Sequence, residues 1–90
     1  MKVTCCGTNL MIKWRHTMDD SGRKTLCQLY EIGKDRELFL LKKGAAFCHP
    51  QDQYCKSTGR KISLSRTLQN SQLDKYSRRL VWEQYRKECH

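Results

Sequence analysis

The sequence predicts an α+β fold, a three-stranded antiparallel sheet followed by two C-terminal helices packed on it. Three observations carry this. Residues 8–48 alternate apolar and polar side chains with a period of two, interrupted by two turn clusters. Pro50, the only proline, closes that stretch. Beyond it, residues 57–88 switch to the i, i+3, i+4 spacing of amphipathic helices. Ninety residues make one small domain, 1–90, with a strand region at about 8–48 and a helical region at about 57–88.

Residues 8–16, TNLMIKWRH, place Leu10, Ile12 and Trp14 on one face and Lys13 and Arg15 on the other, a half-buried strand. Asp19-Asp20-Ser21-Gly22 follows as a turn. Lys24–Ile32 alternates again. Leu26, Tyr30 and Ile32, with Gln28 among them, make its more apolar face, against Thr25, Cys27 and Glu31. Gly33-Lys34-Asp35-Arg36 is a second turn, and Leu38–Cys48 a third strand. Its Phe39-Leu40-Leu41 run is apolar on both faces, which predicts the most covered strand of the sheet. Gly44 marks a bulge or a close approach of another backbone.

The first helix is predicted over Thr58–Asn70, with Ser57 as N-cap and Ile62, Leu64 and Leu68 as its apolar side. The second runs over about Gln72–Lys87, opened by Ser71 and Asp74 in a capping-box arrangement. Leu73, Tyr76, Leu80, Val81 and Tyr85 form its apolar stripe, with Trp82 at the edge.

Eighteen basic and nine acidic residues give a net charge of +9, shared by both halves of the chain. Such a surface draws polyanions, and DNA or RNA is the partner this predicts. A charged face also serves plain solubility. The binding candidates are Lys56, Arg60, Lys61 and Arg66 on the first helix and Lys75, Arg79 and Arg86 on the second. Lys75 and Arg79 are one turn apart and Arg86 two turns further, so they share a face. Backbone N–H groups at a helix start add to the pull of Arg60-Lys61 on phosphate.

No apolar run approaches the ~20 residues that span a bilayer. The N-terminal MKVTCCGTNLMIKW lacks the apolar core of a signal peptide. The expectation is a cytoplasmic protein without membrane contact, its six cysteines free thiols. Cys48, His49, Cys55 and Cys89 are the candidates for a structural zinc. Yet Cys48 and Cys55 have six residues between them, a C-x6-C spacing unlike the C-x2-C of zinc knuckles. No metal and no cofactor is therefore expected. Gly-rich phosphate loops, HExxH and paired carboxylates are missing, and adjacency of Cys48 and His49 does not make a dyad. The sequence reads as non-enzymatic.

The segments GAAFCHPQDQYCKSTGRKISLSRTL and LDKYSRRLVWEQYRK resemble a recurrent pattern in small phage and prophage proteins. The matching positions are Asp52 and Tyr54, Gly59-Arg60-Lys61-Ile62, then Leu64, Arg66 and Leu68, and finally Arg79, Trp82 and Tyr85. This resemblance covers about the C-terminal half. It implies an accessory phage protein of the cytoplasm of an infected bacterium, of the kind that modulates host or defence machinery. A second resemblance, to CC chemokines, rests on Cys5-Cys6, Cys27 and LFLLKKGAAFCHP, and implies three strands, one helix and disulfides from Cys5 and Cys6. The long gap from Cys27 to Cys48 and the second helix depart from that pattern.

Two functions follow as expectations. The first is binding of nucleic acid, or of a host complex bearing it, through the seven basic residues above. The alternative is a protein-binding inhibitor of a host or anti-phage defence factor, in an anti-CRISPR-like or host-takeover role. Trp14, Trp82 and Tyr85 would anchor such an interface if exposed. Core packing is the plainer role for Trp82 and Tyr85.

Overall fold

A computed structural model describes residues 1–5, 7–20, 22–48, 53 and 55–88. Four strands precede two helices: β1 (Lys2–Cys5), β2 (Thr8–Asp19), β3 (Gly22–Ile32), β4 (Leu38–Cys48), α1 (Lys56–Gln69) and α2 (Lys75–Glu88). The α+β architecture with two C-terminal helices is as predicted, but the sheet has four strands, not three. The extra strand is β1, too short to show a period, which pairs Val3 with Leu10 and Cys5 with Thr8. The strands form a meander, β1-β2-β3-β4, each antiparallel to the next. Gly7 (φ 80°) and Gly22 (φ 119°) take the left-handed backbone that the first two turns require.

The helices cover one face of this sheet, α1 lying on β3 and β4 and α2 reaching β1. The core between the layers is Val3, Cys5, Leu10, Ile12, Cys27, Leu29, Leu64, Leu68, Val81 and Tyr85. Full burial of a Leu or Ile side chain contributes ~1.5–3 kcal/mol, so this short set supplies most of the drive to fold.

Strand β3 turns inward the face opposite to the one predicted. Thr25, Cys27 and Leu29 are buried, whereas Leu26, Tyr30 and Ile32 lie on the other side. The reason is non-local. Opposed residues of paired strands share a face, and Leu29 pairs with Ile12, Cys27 with Trp14 and Thr25 with His16. Small side chains are also needed there. A Cβ on Gly59 would collide with the Thr25 side chain, and one on Gly44 would lie 2.8 Å from the Thr67 N and 2.9 Å from the Ser63 O. Gly44 is thus the close approach foreseen at that position. The register irregularity lies elsewhere, between Leu29 and Tyr30 of β3, whose partners on β4 are Lys42 and Leu40.

Strand β4 corrects a second expectation. It is the edge of the sheet rather than its most covered strand, and Leu38, Phe39, Leu40 and Leu41 are exposed. The helix boundaries shift as well. Cys55, not Ser57, occupies the N-cap position of α1. Helix α2 starts at Lys75 because Asp74 itself caps it, its Oδ1 accepting from the Ser77 N–H at 2.8 Å. Those contacts with Ser77 hold the Asp74 carboxyl below its ordinary pKa. Ser71 closes α1 instead, its hydroxyl donating to the Leu68 carbonyl at 2.7 Å. Ile62 and Tyr76, predicted apolar-side residues, are exposed. Ser63 and Thr67 take the buried side of α1, and their hydroxyls donate back to the Arg60 and Ser63 carbonyls at 3.1 and 2.8 Å.

Candidate nucleic-acid interface on the helical layer

Helix α2 is anchored by its aromatic side chains. Tyr85 is buried between Trp14 (ring centroids 5.9 Å) and Trp82 (5.6 Å, edge to face). Trp14 is fixed in turn by its indole N–H, which donates to the Arg60 carbonyl at 3.2 Å. Tyr85 therefore belongs to the core, while Trp82 is only half-buried and forms a wall between two grooves.

One groove runs between the helices, with Lys75, Arg78, Arg79 and Arg86 around Trp82. The other, on the far side of Arg86, is lined by Lys61, Ser57 and Thr58 against Trp82 and Tyr85. Four of the seven predicted residues, Lys61, Lys75, Arg79 and Arg86, are thus brought together on these grooves. Arg79 meets Glu83 one turn along at 3.4 Å, both exposed, a pair of the kind that contributes little.

The other three sit elsewhere. Arg66 donates from its guanidinium to the Ala45 carbonyl at 2.7 Å and so ties α1 to the edge strand. Lys56 and Arg60 lie near His16, whose pKa is lowered by burial first and then by the Lys56 and Arg60 charges. His16 Nδ1 is 2.9 Å from the Thr25 hydroxyl oxygen.

Sequence reasoning counted Arg78 among the basic residues of the second helix without selecting it for binding, and weighed Trp82 only as an anchor for a protein partner. Arg78 stands three residues after Lys75 and four before Trp82, so helical spacing alone could have joined them. The Nε groups of Arg78 and Arg60 are buried and meet no hydrogen-bond acceptor among the described residues. Leaving such a donor unmet is costly, and an anion at the guanidinium offsets part of that cost.

Of the zinc candidates, Cys48 ends β4, half-buried, and Cys55 is exposed, while His49 and Cys89 lie outside the described residues. Among the described residues no group of three His, Cys, Asp or Glu could hold a metal ion. Cys5, in the chemokine-like pattern a disulfide partner, is buried in the core, and Cys6 lies outside the described residues. Cys55 has its pKa lowered to about 6 by the Ser57 hydroxyl, 3.1 Å away, and by Thr58. Burial pushes Cys27 up to about 11. Among the described residues no helix is long and apolar enough to cross a membrane. No protein-family model matches the chain, and comparison with curated proteins and with solved structures finds no significant similarity.

Proposed function

We propose that the protein binds nucleic acid through the outer face of α1 and α2, as a small non-enzymatic accessory protein of the phage type its C-terminal half resembles. The observation that carries this reading is the gathering of Lys61, Lys75, Arg78, Arg79 and Arg86 around Trp82. The spacing of cations along two adjoining grooves suits successive phosphates, and the indole supplies an apolar surface beside them. Arg78 brings a buried Nε with no acceptor among the described residues, and a phosphate at its guanidinium offsets part of that cost.

The test is binding to labelled duplex DNA, single-stranded DNA and RNA at ~50 and ~200 mM salt. Five phosphate contacts predict an affinity loss of about 10²–10³-fold over that range. Exchanging Lys61, Arg79 and Arg86 for Glu abolishes duplex binding and leaves the melting temperature nearly unchanged, because all three are exposed. Salt-insensitive binding, or none to any of the three polymers, would overturn the reading in favour of a protein partner.

A further inference from the structure

The face of the sheet that the helices leave open is not an ordinary solvated surface. The register lays its side chains out in rows across β2, β3 and β4: Met11–Tyr30–Leu40, Lys13–Gln28–Lys43, Arg15–Leu26–Ala45 and Thr17–Lys24–Phe47. None of these rows contains an Asp or Glu. Within these four rows the charge is therefore of one sign, where a face serving solubility alone would mix both, and the acidic Asp19 pairs with Gly22 beyond them at the strand end. Interleaved with the cations are two aromatic rings. Phe47 is 74% exposed, and the Lys24 ammonium lies 5.9 Å from its ring centre. Tyr30, half-buried, has the Lys13 ammonium at the same distance. The Tyr30 and Phe47 rows are six β3 residues apart, ~20 Å along the strand.

We infer that this open sheet face is a binding platform for single-stranded nucleic acid, with Tyr30 and Phe47 stacking on unpaired bases and Lys13, Arg15, Lys24 and Lys43 meeting the phosphates. A broad sheet face offering exposed ring surfaces needs bases that are free to turn outward, which a duplex does not present. Each ring carries a lysine ammonium over its face, which a stacking base would displace towards its own phosphate. An acidic protein would satisfy the lysines but has no use for the rings at their edges. The platform lies on the layer opposite the helical grooves and does not depend on them for its chemistry.

The experiment uses a labelled, unstructured oligothymidylate of about 12 nucleotides, within the ~4–16 that a single-strand-binding domain covers. A duplex of equal charge and polyglutamate serve as comparisons. Phe47→Ala and Tyr30→Leu each lower oligothymidylate affinity about 5–100-fold, as loss of one stacked base should, and change duplex affinity less than about twofold. Tyr30→Leu keeps apolar mass at a half-buried position, and circular dichroism melting checks that both variants fold. The Lys61, Arg79 and Arg86 variant retains the Phe47-sensitive oligothymidylate binding even if the helical reading fails. Unchanged oligothymidylate affinity in both folded variants would overturn the inference. So would an equal loss for duplex, or polyglutamate binding with the same strength and the same dependence on Phe47.

Discussion

On the helical face of the sheet the inward side chains of β3 and β4 are short, with Thr25, Cys27, Gly44 and Ala46 beneath α1. On the open face of the same strands they are long, with Tyr30, Lys24, Lys43 and Phe47. Short side chains let the helix come down until its own Ser63 and Thr67 meet the β4 backbone. Contact of that kind leaves no room for adjustment, so the helical face is where substitutions are felt. The open face has no partner layer to accommodate, and its residues answer to the solvent and to whatever binds there. Close packing is confined to one side of the sheet, and the other side is left free of it.

That division is most sharply tested by truncating one leucine on each side. Leu64→Ala, at a fully buried site, loses about 2–5 kcal/mol in urea unfolding. Leu26→Ala on the open face loses less than about 1 kcal/mol, in the range of substitutions away from the core. Equal costs would break the comparison.

Adding a methyl group makes a subtler contrast. Gly44→Ala places a Cβ 2.5 Å from the Thr67 hydroxyl oxygen and destabilises by about 1–3 kcal/mol. Lys43→Ala, the adjacent position facing the other way, stays within about 0.5 kcal/mol.

The smallest effect is electrostatic. His16 belongs to the helical face and has its pKa lowered by burial and by the Lys56 and Arg60 charges, so the folded state binds its proton less readily than the unfolded chain. Stability from this site is therefore complete above about pH 6.5, the unfolded value, and declines as the pH falls below it. The melting temperature should drop between about pH 7 and 5.5, and less steeply in His16→Gln. An identical slope in that variant would place the titration elsewhere.

Much of this was legible from the chain. Alternation located β2 and its inward Leu10, Ile12 and Trp14, and the Leu38–Cys48 boundaries of β4 were also read correctly. What failed was whatever depended on a distant partner. The apolar face of β3 was assigned from Leu26, Tyr30 and Ile32, the bulkier set, yet pairing with β2 and the approach of Gly59 selected the smaller one. Apolar character alone likewise cannot tell a central strand from an edge that is left exposed, as Leu38–Leu41 of β4 show. For the candidate site, helical spacing gathered Lys75, Arg79 and Arg86. It could not foresee that Arg66 would be taken up by a β4 carbonyl, or that Trp82 would stand between two grooves.

The exposed edge of β4 has a colloidal consequence. Its outer backbone and its Leu38–Leu41 side chains offer a second molecule a strand to pair with, guarded by the two lysines that follow and, further along, by Arg66 on the Ala45 carbonyl. What holds two such edges apart in solution is mutual repulsion between chains of charge +9. That repulsion is screened beyond ~10 Å at 0.1 M ionic strength and vanishes when a polyanion neutralises the chain. Dispersion and clustering of this protein are thus set by its counterions, and any multivalent anion that crowds several copies together also lifts the barrier between their edges.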